Sequence, residues 1–312
     1  MKRLVLATSF AFISSAFAVG ENMQDLTYFP KANTIIVSSG LERITTEADV
    51  GVGATNVDSE STIFQIYGKV QYSILDDLNI ALTMANESIE TEQNIGTKTT
   101  TTDSSGMSEP VLDIEYRVFK NLFGKKINLD IISSYSPGGD NTVDATEDDD
   151  GNTKRGSDEI TLGLKSTMAH KNMEFGFGML VSIIGETETE DATNSNDDYT
   201  TDAYNMYTFS LVGQLALSDE LSLSMSGNLD LIPELSSKQK TGEKTTIDSR
   251  TGYSFHVGGS FAFTKNFLLG GTIIAGGTTD FESKEKGSFS TSKQEYEDFF
   301  YTGITFDAQY RF

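Results

Sequence analysis

The sequence predicts an all-β fold, a transmembrane antiparallel up-and-down β-barrel of about twelve strands. Three observations carry this. The chain ends in "ITFDAQYRF", where Ile304, Phe306, Ala308, Tyr310 and Phe312 alternate with Thr305, Asp307, Gln309 and Arg311. That period of two is a strand with one wet face and one apolar face. Similar alternating segments fill the rest of the chain, joined by short and long connections in turn. A secretory leader opens the chain, and it contains no cysteine.

The leader is "MKRLVLATSFAFISSAFA". Lys2 and Arg3 precede an apolar run from Leu4 to Ile13, and Ala16-Phe17-Ala18 fits the small-x-small cleavage rule, which predicts cutting after Ala18. The run is too short to span a bilayer. The expected organisation is a signal peptide at 1–18, a short periplasmic segment at 19–32 and a barrel over 33–312. An exported chain without cysteine has no disulfide framework. Mean hydropathy is −0.27, a value usual for soluble proteins, but transmembrane strands hide their lipid face in alternate positions. The formal charge of −23 disfavours nucleic-acid binding.

The twelve segments start near Asn33, Ser61, Leu78, Glu109, Ile127, Glu159, Met173, Tyr204, Leu221, Tyr253, Phe267 and Phe299. Five connections are tight: 76–77, 120–126, 169–172, 218–220 and 264–266. The others are long and rich in Thr, Ser, Asp, Glu, Asn and Gly, such as "GGDNTVDATEDDDGNTKRGSDE" at 138–159. An even strand count with short turns at one end and long loops at the other is the plan of a bacterial outer-membrane barrel, with both termini in the periplasm. One parity of each segment is free of charge: Phe64, Ile66, Val70, Tyr72 and Ile74; Leu112, Ile114, Tyr116 and Val118; Phe175, Phe177 and Met179; Leu221, Leu223 and Met225. A lipid-facing surface requires this. The opposite parity is polar or small, as in Ser222, Ser224, Ser226, Asn228 and Asp230. A soluble β-sandwich also alternates, but strand-long apolar faces in consecutive hairpins behind a leader favour closure, which removes every unpaired edge. Trp is absent, so Tyr and Phe must form the interface girdles.

The terminal strand must pair with the first to close the barrel. Its ending, with Phe306, Tyr310 and the last residue Phe312 on one face, resembles the C-terminal signature of outer-membrane β-barrel proteins. The resemblance implies recognition by the barrel-assembly machinery and a place among outer-membrane lipid. The stretch "SGMSEPVLDIEYRVFKN" (105–121) resembles proteins of the phenol-degradation MetA-pathway group, through Ser108-Glu109-Pro110 before the strand and Tyr116-Arg117 near its end. That group is related in style to fatty-acid channels, and the resemblance implies uptake of hydrophobic compounds. The N-terminal hatch and additional strands of the fatty-acid channel itself are lacking here.

The inward set includes Lys69, Asp113, Glu115, Arg117, Asp130, Lys165, Glu174, Asp230 and His256. A symmetric 120–126 turn places Arg117 opposite Asp130, and the 169–172 turn places Lys165 diagonal to Glu174; such pairs attract. Two readings follow: a solvated lumen with ordinary ion pairs, or a constriction that selects solute charge. The segment 19–32 is too short for a folded plug domain, although it can fold into the lumen.

Catalysis is not expected. The two histidines are His170, in a tight turn, and His256, which points inward. Ser254 shares the face of His256 but sits two residues along the strand, a spacing expected to prevent the direct contact a Ser–His pair needs. No cofactor is expected. "TEDDDG" (146–151) lacks the first and twelfth ligands of a calcium loop, leaving Asp148, Asp149 and Asp150 as a weak candidate for loosely held divalent cations. The leading function is passive passage of small solutes, apolar or charged. The alternatives are a structural or surface-interaction protein acting through acidic loops, and a lipid-modifying hydrolase.

Overall fold

The computed structural model of the chain describes residues 23, 27–52, 55–95, 98–122, 125–139, 141–143, 156–191, 198–286 and 291–312. The leader and Asp148, Asp149 and Asp150 lie outside the described residues.

Among the described residues nineteen strands form one sheet. In chain order they are β1 (Ile35–Val52), β2 (Thr55–Leu75), β3 (Leu78–Ile95), β4 (Lys98–Met107), β5 (Val111–Phe119), β6 (Ile127–Ser136), β7 (Asn141–Val143), β8 (Glu159–His170), β9 (Met173–Ile184), β10 (Thr187–Asp191), β11 (Tyr199–Thr201), β12 (Tyr204–Ala216), β13 (Leu221–Ile232), β14 (Leu235–Gln239), β15 (Lys244–Ile247), β16 (Arg250–Thr264), β17 (Phe267–Thr278), β18 (Phe281–Lys286) and β19 (Thr291–Arg311). The staves of the barrel are β1, β2, β3, β5, β6, β8, β9, β12, β13, β16, β17 and β19, each antiparallel to the next. β19 closes the ring on β1 with Ile36 opposite Arg311 and Leu41 opposite Phe306. The Phe312 amide donates to the Ile35 carbonyl at 2.8 Å. The alternating C-terminus is thus the closing stave.

The apolar parity points outward. Ile66, Met84, Leu211, Met225, Phe255 and Ile273 are 46–65% exposed. A continuous belt of large exposed apolar side chains is stable against hydrocarbon and costly against water. Val118 departs from this pattern: a register shift between Arg117 and Phe119 puts Phe119 on the outer face instead.

The remaining seven strands extend the wall beyond the belt. β1 has 18 residues, which at about 3.3 Å each run about 60 Å, roughly twice the hydrocarbon thickness. Above Leu41 its outward residues are Arg43, Glu47 and Asp49; above Phe64 those of β2 are Glu60 and Asp58. Several long connections expected as loops are therefore strands. β4 pairs with β3, β14 with β15, and β18 with both β15 and β19. Both faces of these segments are wet, so their sequences carry Thr and Ser without hydrophobic alternation.

The interior also departs from expectation. Ile44, Ile63, Leu180, Met206, Val212 and Ile274 are buried and face the lumen, so the inward parity is not uniformly polar or small. Ile44 and Ile274 pack with Phe299 and Tyr301 into one cluster.

Candidate functional site

The lumen gathers most of the residues singled out from the sequence. On β2, β5, β6 and β8 they form a ladder of ion pairs. Lys69 Nζ meets Asp113 Oδ2 at 3.0 Å across Ala81 of β3, whose small side chain leaves the path clear. Ser134 Oγ donates to the other Asp113 oxygen at 2.7 Å. Lys165 Nζ meets Glu115 Oε1 at 3.0 Å. Arg117 holds Asp130 with two nitrogens, Nε to Oδ1 at 2.7 Å and Nη2 to Oδ2 at 3.1 Å. This fork is the strong geometry for such a pair, and it is dry: the side chains are 5% and 0% exposed. Arg117 and Asp130 are opposite in register as expected, with a register shift between Arg117 and Phe119 completing the alignment.

Lys165 and Glu174 are not diagonal neighbours in register. His170 pairs with Met173, so the β8–β9 turn is two residues, with Lys171 in the left-handed region at φ 57°. β9 begins at Met173 as expected, but β8 runs two residues further, to His170, than the four-residue connection implied. Lys165 therefore faces Gly178, and Glu174 faces Ala169.

Glu174 receives the segment before β1. The Thr27 amide and hydroxyl donate to its two oxygens, each at 3.0 Å. Arg117 Nη1 donates to the Thr27 carbonyl at 3.1 Å, and its guanidinium lies 4.6 Å from the Phe29 ring centroid. On the far side of the ring of staves, Arg311 Nη1 donates to the Tyr28 hydroxyl at 3.2 Å. Tyr28 and Met23 pack with Ile36 and Leu268. The described residues of the segment make contacts at the short-turn end of the barrel from β5 and β9 to β17, β19 and β1. Thr27, Tyr28, Phe29 and Arg311 were not picked out from the sequence; the available signal was "LTYF", two aromatics in a short tail outside any alternating strand.

Three further inward groups escaped the sequence reading. Glu42 on β1 faces Gln65 on β2, Tyr67 lies across Gly40, and Asp307 on β19 lies over Gly270. On the opposite wall, Asp230 accepts from the Thr208 hydroxyl at 2.6 Å. His256 Nε2 is 3.0 Å from Ser254 Oγ and 3.4 Å from Asn228 Nδ2. The expectation that Ser254 lies beyond reach is wrong: strand pleating puts both side chains on one face, and the imidazole spans the gap. Both polar neighbours sit on Nε2, so among the described residues no group orients Nδ1 as a catalytic base requires. His170 is exposed at the end of β8.

At the opposite mouth, where the long connections lie, Phe281 and Tyr296 stack at 4.7 Å, and Arg250 covers Phe281 at 4.8 Å. Outside the belt, Glu282 bridges Lys284 at 3.0 Å and Lys293 at 2.7 Å. Hydrogen bonds from Lys293 and Lys284 hold the Glu282 carboxyl below its usual range, and both lysines are raised in turn. A groove of about 350 Å³ lined by Ser39, Leu41, Leu269, Phe306 and Ala308 opens on the outer wall, away from the lumen. Among the described residues no group of three or more acidic or histidine side chains is arranged to hold a metal ion.

No family model matches the chain, and no curated protein does. Solved structures do. The COG4313 outer membrane channel from Pseudomonas putida F1 is 13% identical with a TM-score of 0.56, over 91% of this chain and 97% of that one. The transport unit of the autotransporter AIDA-I from Escherichia coli is 10% identical with a TM-score of 0.52, over 90% of each chain. The chain has the fold of bacterial outer-membrane β-barrels.

Proposed function

We propose that the protein is an outer-membrane channel for passive passage of small solutes, with its periplasmic mouth narrowed by the N-terminal segment. The supporting observation is a closed twelve-stave wall whose inward residues at mid-height, among them Glu42, Gln65, Ser224, Ser226 and Asp307, are only partly buried. Side chains fill the interior of smaller barrels; this ring is wider. Likeness to an outer membrane channel agrees with this. The lumen offers an apolar flank, Ile44, Ile63 and Ile274, beside a polar one, Ser254, His256 and Asn228. Small molecules with an apolar body and a polar group suit such a wall.

The mature chain, refolded in detergent, should give discrete conductance steps in a planar bilayer. Glu174→Ala, which releases Thr27, should enlarge them. A folded barrel, verified by heat-dependent migration on a gel, that stays silent in both forms refutes the reading.

A further inference from the structure

We propose that the lumen discriminates by charge, passing cationic and neutral solutes and rejecting anions, and that Glu42, Asp230 and Asp307 set this selectivity. The inference rests on the passage reading above. Its basis is which lumen charges are already neutralised. Lys69, Arg117 and Lys165 are each held by one carboxylate, Asp113, Asp130 and Glu115. Arg311 is turned to the periplasmic rim, where Nη2 donates to the Lys265 carbonyl at 2.7 Å and to Asn266 Oδ1 at 3.1 Å. Arg250 lies on the Phe281 ring at the outer mouth.

Against these stand carboxylates with neutral neighbours. Asp230 accepts from Thr208, Asp307 from the Gln309 amide at 3.3 Å. Among the described residues neither they nor Glu42 make an ion pair. The remaining titratable groups facing them include Tyr67, Glu87, His256 and Tyr301. Two of the three acids lie over glycines of the next stave. A methyl on Gly270 would collide with Asp307 Oδ1, and one on Gly252 would sit 3.4 Å from Asp230. At these positions the glycine stave offers no side chain to cover either acid. They also occupy different levels: Asp230 near the extracellular end of β13, Glu42 and Asp307 lower on β1 and β19. A solute therefore meets fixed negative charge along the path rather than at one binding site, which favours conduction over capture.

A carboxylate about 7 Å from the axis of a water-filled pore, screened at about 0.1 M salt, shifts the cation-to-anion ratio by about threefold. Three of them give a preference of about tenfold or more.

The test is the reversal potential of the full chain in a planar bilayer under a potassium chloride gradient. Wild type should prefer potassium about tenfold. Glu42→Gln, Asp230→Asn and Asp307→Asn, near-isosteric changes, should each lower the ratio, and the triple variant should approach one. Lys69→Gln, which frees Asp113, should raise it. A conducting wild type with a ratio at or below one overturns the proposal while leaving passage intact. A cation preference that survives in all three single variants and the triple variant overturns the assignment to these residues. A folded but silent barrel overturns passage and this inference together.

Discussion

Glu174→Ala tests whether the N-terminal segment is held at the mouth by the contacts described. The substitution removes the acceptor for both the Thr27 amide and the Thr27 hydroxyl. Hydrogen bonds to a charged group contribute about 1.5–3 kcal/mol each. They share one carboxylate and are only partly buried, so a combined loss of about 2–4 kcal/mol is reasonable. That raises the undocked population by roughly 30- to 1,000-fold. Arg117, Arg311 and the Met23–Tyr28–Ile36–Leu268 cluster continue to hold the segment. Chymotrypsin reads this equilibrium. Tyr28 is 7% exposed when docked, and the following bond, Phe29–Pro30, resists cleavage, so a cut after Tyr28 reports undocking. When docking and undocking are fast, the cleavage rate follows the open population. The expected result is a rise in that cut, followed by mass spectrometry, of at least tenfold over wild type. A rate within about twofold on a folded barrel would refute the docking argument.

Arg117→Ala leaves the buried Asp130 carboxylate without its fork and should cost about 3–5 kcal/mol in urea unfolding from lipid vesicles; a loss under about 1 kcal/mol would mean Lys165, opposite Asp130 in register, compensates alone. Ile66→Arg places a charge in the lipid belt and should cost about 2–4 kcal/mol, whereas Gln65→Arg, one residue away and facing the lumen, should cost far less; equal costs would invert the assignment of faces. The β18–β19 ribbon should loosen in acid. The folded Glu282 carboxyl is depressed, so its contribution is present above the unfolded value, about 4.3, and is lost as pH falls through the lower folded value. Hydrogen-exchange protection there, corrected for intrinsic rates, should be flat from neutrality to about pH 5 and fall below about pH 4, less steeply in high salt; protection unchanged at pH 3 would sink the argument.

The strands were legible wherever one face meets lipid. Leu78, Ile127, Glu159, Met173, Tyr204, Leu221 and Phe267 begin strands as the alternation predicted. It failed where water wets both faces. β2 starts at Thr55 rather than near Ser61, and β19 at Thr291 rather than near Phe299, because "TNVDSE" and "TSKQEYED" have no apolar parity to reveal pairing. Period alone also cannot say how far an inward side chain reaches. Arg117 and Asp130 were expected to face each other and do, but a symmetric 120–126 turn alone would pair Arg117 with Leu129; the longer connection, with Phe119 opposite Leu129, and the register shift after Arg117 bring Asp130 into place. The Lys165–Glu115 pair was not expected, since it spans an intervening strand. Nor were Tyr28 and Phe29, which belong to no strand and find their partners across the mouth.

The way those partners are arranged bears on whether the mouth can open. Burying an ion and then removing its partner is expensive, so a segment that supplied the counter-charge for a lumen residue would be fixed in place. Thr27 supplies none. When it leaves, Arg117 keeps both bonds to Asp130 and gives up one to a neutral carbonyl. Glu174, half-buried at the rim, exchanges two protein donors for water. Tyr28 and Met23 lose an apolar cluster of four buried residues. Lys69, Arg117 and Lys165 are paired within the wall, and the described residues of the segment are held by neutral hydrogen-bonding groups, the Phe29 ring and modest apolar contact. Docking of this kind can reverse without stranding a charge in the lumen. That is the energetic condition for a barrel that is narrowed at one end and still able to pass a solute.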